Sequence, residues 1–223
     1  SNDFYFTQDQ GRDAVYVREI LQRGKIFLVG PETSLPGVYH GVGWYYFLAV
    51  GYILTQGHPA GGIFILTMLT TIVTGLFLWR AKKLELGILI IGLWAHYDLT
   101  RYAFNPFLLF PLSLLLLLLL PKHYIWAAIP LGFAVHAHIV GAIPLTLFYF
   151  GYGLWHKNFK GVALGFVIWS LFWLPHLIYE VQNHWPQFYA LQNLAVLQPV
   201  RMPIGWLGLI LILVFIVLRP QNV

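Results

Sequence analysis

The 223-residue chain contains no cysteine. That excludes disulfide cross-links and thiolate metal sites, and it leaves the compartment undecided. Charge is scarce too, at 9% of residues, where soluble domains carry about 25%. So few charged groups cannot cover a globular surface, which excludes an ordinary water-soluble domain. The basic residues lie scattered between apolar runs rather than along one stripe, so no nucleic-acid partner is indicated. A hydrophobic leader is missing as well: the chain opens on Ser1-Asn2-Asp3 and stops soon after the apolar run that reaches Arg219. The expectation is a fragment of a longer protein.

What is present is mostly apolar. Hydrophobic residues make up 59% of the chain, aromatic residues 17%, and the mean hydropathy is +0.71. Several runs are long enough to span about 30 Å of hydrocarbon. These features predict an all-α polytopic membrane protein, with the lipid bilayer as its first partner.

The first 37 residues stand apart. They hold Asp3, Asp9, Asp13, Glu19 and Glu32 together with Arg12, Arg18, Arg23 and Lys25. Residues 12–23 read as an amphipathic helix, with Val15, Tyr16 and Ile20 set among charged neighbours and Gly24 as its stop. Such a helix suits the membrane interface. Residues 30–37 are dense in glycine, proline and serine and read as a loop.

Tyr39 to Gln56 is apolar and aromatic but broken by three glycines. Spans are expected at 60–79, 84–99, 105–120, 124–137, 139–155, 161–177 and 204–218, with a long loop at 178–203. If 39–56 does not cross and the first segment lies outside, Arg80, Lys82, Lys83, Lys122, Lys157, Lys160 and Arg219 all face the cytoplasm. If it crosses, that bias inverts. The positive-inside rule therefore favours an interfacial or re-entrant helix at 39–56. Every acid except Glu85 then falls on the outer face, with His136, His138 and His184. Ionisable groups near membrane depth are costly and are usually kept for function.

Each candidate has a functional and a plainer reading. Asp9 is a general base for an attacking hydroxyl, or the N-cap of the first helix. Arg101 binds a phosphate through its planar fork, or pairs with Asp98. Asn105 before Pro106 contacts a ligand, or caps the next span. His136 and His138 hold a divalent metal with a carboxylate from Glu32 or Asp9, or are ordinary interfacial histidines. Glu180 binds a polar ligand, or marks the membrane boundary. Trp44, Tyr45, Tyr46, Trp169 and Trp173 fit an interfacial aromatic belt.

The order of several short runs resembles a known family. They are Phe6-Thr-Gln-Asp9-Gln10-Gly11-Arg12-Asp13, Arg18-Glu19-Ile20-Leu21, Gly24-Lys25, Gly30-Pro31, Pro36-Gly37-Val-Tyr39-His40-Gly41 and Trp44-Tyr45-Tyr46, then Arg101-Tyr-Ala-Phe-Asn105-Pro106 and Leu174-Pro175-His-Leu-Ile-Tyr-Glu180. The chain resembles bacterial glycosyltransferase family 39. That group is related to dolichyl-phosphate-mannose protein mannosyltransferases and to the lipid A aminoarabinose transferase. The resemblance implies a GT-C-type transmembrane helix bundle with periplasmic juxtamembrane helices, in the bacterial inner membrane, its active site facing the periplasm or cell exterior. Residues 1–37 would be the outer catalytic loop, 39–56 the interfacial helix, and 60–219 about seven spans.

Such enzymes move a sugar from a polyprenyl-phosphate donor to a glycan, lipid or protein acceptor with inversion. The family's essential acid maps onto Asp9. Arg12, Asp13, Lys25, His40, Tyr46, Arg101, Asn105 and Glu180 are expected on the substrate side, and no cofactor is required beyond an optional divalent metal. The chain departs from the family in having Asn105 where many relatives carry a second acid, and in lacking the expected first span. A lipid or solute transporter, or flippase, is the rival reading. It needs ionisable groups deep in the spans, whereas the polar exceptions there are mainly Thr70, Thr71, Thr74 and Ser170. A non-catalytic scaffold leaves the acids of the first segment unexplained.

Overall fold

The computed structural model describes residues 7–81 and 103–194. The fold is mostly helical, with one two-stranded antiparallel hairpin near the start. The expected spans at 84–99 and 204–218, together with Arg101, lie outside the described residues.

The first helix, α1 (Gln8–Arg23), starts four residues earlier than the apolar periodicity indicates. Its start is fixed by a capping box: Gln10 N–H donates to Thr7 Oγ1 at 3.2 Å, and Thr7 N–H donates to Gln10 Oε1 at 2.9 Å. Thr7, not Asp9, is therefore the N-cap, and two backbone donors are satisfied reciprocally. The stop falls where expected. Gly24 adopts φ +63°, a left-handed conformation that costs glycine little.

The stretch 30–37, expected as a loop, instead contains most of a hairpin. Strands β1 (Val29–Glu32) and β2 (Tyr39–Gly41) pair antiparallel, Val29 opposite Gly41 and Glu32 opposite Tyr39. The turn residues occupy the tip, where Gly37 N–H donates to Glu32 Oε1 at 2.6 Å and Thr33 N–H to Val38 O at 2.7 Å. Strands this short are masked by the glycines and prolines around them.

Helix α2 (Gly43–Leu54) replaces the longer 39–56 helix, because β2 takes its first residues. At 1.5 Å per residue it measures about 18 Å, well short of a membrane's apolar thickness. Helix α3 (Gly61–Ala81) follows. Among the described residues, Gly61–Arg80 is the one helix long and apolar enough to cross a membrane alone.

The 105–120 run forms a 3-10 turn (Asn105–Leu108) that leads into α4 (Leu109–Leu119). Phe104, not Asn105, is its N-cap, with extended backbone. The 124–137 run begins as turns and becomes helical only at α5 (Ala128–Ala137), while α6 (Ile139–Trp155) agrees with its expected bounds.

The 161–177 run is a bent pair, α7 (Phe159–Phe172) and α8 (Leu174–Gln182), which meet at 47°. Pro175, in the first turn of α8, has no N–H to continue the ladder, so the chain breaks there. The 178–203 loop is in fact partly helical: α8 extends into it and α9 (Pro186–Leu194) follows.

Helix α5 organises the body. It packs against α4, α6 and α7, and its last turn meets β2 and α2. Ala128, Leu131, Ala134, Val135 and Ala137 are almost wholly buried. The three alanines among them let its neighbours approach closely. Nearby, Tyr124 and Tyr149 stack with ring centroids 4.4 Å apart. Each hydroxyl donates to the other residue's carbonyl, at 2.9 and 3.1 Å.

Candidate functional site

The acidic end of α1 is built outward from a buried centre. Asp13 is buried, although it lies on a helix that carries Arg12, Arg18 and Arg23. It is held there by Trp44 of α2, whose indole Nε1–H donates to Asp13 Oδ2 at 2.7 Å. Arg12 donates to Asp13 Oδ1 from Nε at 3.0 Å and from Nη2 at 2.9 Å. The remaining arm, Nη1, reaches Asp9 Oδ1 at 3.0 Å. Arg12 thus bridges a buried and an exposed carboxylate, and the Asp9 side chain keeps 51% of its surface open.

Electrostatics follow from that arrangement. Burial pushes the Asp13 carboxyl up from its ordinary value, against the hydrogen bond from Trp44 and the Arg12 charge. Burial also works against the Arg12 charge, but Asp13 and Asp9 outweigh it and keep the guanidinium above its ordinary range. Asp13 is therefore an anchor, and Asp9 is the acid presented outward. Beside them is a small, partly open recess of about 10 Å³, walled by Gln10, Asp13, Leu48, Tyr52, Pro59 and Ala103. Ala103 follows Arg101 by two positions in the chain.

A second cluster is formed by histidines. His40 on β2 is 7% exposed, and its ring lies 4.9 Å from that of His138. His138 caps α6, accepting Gly141 N–H on Nδ1 at 2.9 Å. His136, 5% exposed, is pressed against the backbone at Gly41 and Gly43: a Cβ on Gly41 would collide with its ring and lie 2.6 Å from its Cα. His176, at the start of α8, donates from Nε2 to Tyr39 O at 3.1 Å. Burial, assisted by the nearby His138, Arg12 and His176, lowers His40 from 6.5 to about 3.

The metal expectation for His136 and His138 is not supported. Among the described residues no group of three or more His, Cys, Asp or Glu side chains converges to hold an ion. His138 already spends Nδ1 on a helix cap, and His136 packs on backbone and on Phe172, ring centroids 5.8 Å apart.

Several other expected ligand contacts carry structural bonds. Asn105 Nδ2 donates to Ala137 O at 2.7 Å, closing the C-terminal end of α5. Glu180 accepts Gln187 Nε2 at 2.8 Å, Gln187 N–H at 3.3 Å and Phe188 N–H at 3.4 Å, so its carboxylate caps α9. Tyr46 meets the Phe27 backbone at 3.3 Å. Lys25 lies 4.9 Å above the Phe27 ring, which in turn touches Tyr16.

Two residues of the network carry no signal in the sequence. Trp44 sits 31 positions after Asp13, inside what looks like an aromatic belt. Gln187, which accepts Tyr39 N–H at 2.7 Å from 148 positions away, is one amide in a polar stretch. Comparison with protein-family models, curated proteins and solved structures gives no match for this chain.

Proposed function

We propose that this chain is a polytopic membrane glycosyltransferase. It would move a sugar from a polyprenyl-phosphate donor to an acceptor hydroxyl on the outer face, with inversion and with Asp9 as general base. The observation that carries the reading is the Asp9–Arg12–Asp13 series. A buried acid fixes the arginine, and the arginine fixes an outward-facing carboxylate in the first turn of α1.

In this reading Asp9 accepts the proton of the acceptor hydroxyl as its oxygen attacks the anomeric carbon. The bond from that carbon to the carrier phosphate breaks, and the phosphate leaves with the bonding pair. A good leaving group needs little more than positioning and one base. The developing charge on the phosphate calls for a cation. Arg101, Lys25 and Arg201 are the candidates, and of these Lys25 is described and exposed. Lipid contact fits the outward-facing apolar residues of the helical body, among them Trp79, Leu147, Trp155 and Phe159.

The test is sugar transfer from a polyprenyl-phosphate-linked donor by membranes carrying the chain. Asp9→Asn is expected to abolish transfer while leaving folding and membrane insertion intact. Wild-type transfer by that variant overturns the assignment.

One observation favours the transporter reading. Thr67, Thr70 and Thr74 lie along α3 with buried hydroxyls that have no hydrogen-bond partner among the described residues. Lipid or solute movement in vesicles without any acceptor, unaffected by Asp9→Asn, would decide for it.

A further inference from the structure

We infer that the buried histidines around the hairpin form a proton-operated latch. Their neutral rings hold β2 against α5, α6 and α8, and protonation releases the hairpin. The inference does not rest on sugar transfer.

Four elements bring one histidine each to this junction. His40 comes from β2, His136 from the last turn of α5, His138 from the cap of α6 and His176 from the first turn of α8. They carry several of the contacts that dock the hairpin, beside the Tyr39 N–H bond to Gln187 and the Tyr39–Tyr179 ring contact. His40 faces the ring of His138 at 4.9 Å, His176 bonds to the Tyr39 carbonyl, and Gly41 rests on His136. His40 Nδ1 and His136 Nδ1 are buried with no hydrogen-bond partner among the described residues. A proton added at either nitrogen meets no acceptor.

The surroundings do not neutralise such a charge. On α1 the nearest charged group is Arg12, itself positive and already bridging Asp9 and Asp13. On β1, Glu32 is turned to the Gly37 N–H at the hairpin tip. On α8, Glu180 is the one acid, and it is committed to Gln187 and to the start of α9. Helices α2, α6 and α9 contribute no Asp, Glu, Lys or Arg, and α7 contributes only Lys160. Glu180 and Gln187 favour a charge on His176, but protonating His40 sets a positive charge beside Arg12 and other histidines, with no free counter-ion among the described residues.

The direction with pH follows. A released histidine exposed to water takes up its proton near pH 6.5. Docking that requires a neutral ring is complete above that value and weakens as pH falls below it. For each such histidine the ratio of released to docked hairpin rises about tenfold per pH unit. Histidine groups of this kind are established pH-operated elements.

Hydrogen exchange on the full chain in lipid nanodiscs tests this, with rates corrected for the intrinsic chemistry at pH 7.5 and 5.5. Protection over 29–41 is expected to drop at least tenfold at the lower pH, while Ala128–Ala137 and Ile139–Trp155 keep theirs. His40→Asn and His176→Gln cannot take up a proton, and glutamine retains an amide donor for the Tyr39 carbonyl. In each the drop is expected to shrink severalfold. Equal protection of the wild-type hairpin at both pH values overturns the latch, as does uniform loss over all segments or a wild-type response in both variants. If neither variant folds, the wild-type comparison decides alone.

Discussion

At the scale of single residues, the two acids of the first helix divide their work by exposure. Asp13 is buried and accepts three donors, whereas Asp9 has one arginine contact and an open face. Loss of the buried donor is the more damaging change to stability. Trp44→Phe removes the indole N–H from a buried carboxylate, at a cost of about 1–3 kcal/mol. The smaller ring adds a cavity term at a fully buried site. The expected result is a lower denaturant midpoint and, if the proposed transfer holds, a detectable loss of it, since Arg12 and through it Asp9 lose their support. A midpoint equal to wild type would mean that the Trp44–Asp13 bond contributes nothing. Spacing alone treats both acids alike, because i and i+4 share a helix face. It was the partner 31 residues away that separated them.

Among the elements, the hairpin and the pair α8–α9 depend on one another across the chain. Tyr39 N–H donates to Gln187, which donates to Glu180, which in turn caps α9. Glu180→Ala removes the cap and strands the Gln187 amide. Cap loss costs about 0.5–2 kcal/mol, and the unpaired buried amide adds about 1–3 kcal/mol. Faster hydrogen exchange is therefore expected over Pro186–Leu194 and Tyr39–Gly41, with Leu109–Leu119 unchanged. Unaltered exchange in both segments would show that the Glu180 carboxylate is not a structural link.

Legibility differed between elements for physical reasons. Helices with a clear apolar run and a strong boundary were readable, as α6 and the Gly24 stop of α1 show. Apolar composition does not distinguish a continuous helix from a broken one, so the turns before Ala128 and the bend at Pro175 were lost. The hairpin was hidden because its turn residues dominate the pattern and its strands are held by distant partners. For the same reason Glu180 and Asn105 read as ligand contacts. A polar side chain that satisfies a helix end looks, in sequence, like one awaiting a substrate.

For the molecule as a whole, the charge distribution and the helix lengths bear on one question, the sidedness of the chain. Helix α2, about 18 Å long, lies against α3 and α1, and the proposed topology keeps it at the interface on the strength of the lysine and arginine bias. The proposed topology, in which α2 does not cross, puts Lys25 on the outer side and Lys160, at the start of α7, on the cytoplasmic side. Both residues are exposed, and the absence of native cysteine makes single-cysteine reporters clean. Lys25→Cys is expected to react with an impermeant thiol reagent on intact cells or sealed right-side-out vesicles. Lys160→Cys should react only after permeabilisation. Labelling of both from the same side would remove the outward-facing acidic face and, with it, the placement of Asp9 on which the proposed transfer depends. Opposite labelling would leave Asp9→Asn as the decisive experiment, because a carboxylate on the outer face can serve the proposed transfer only if sugar transfer is lost when it can no longer accept a proton.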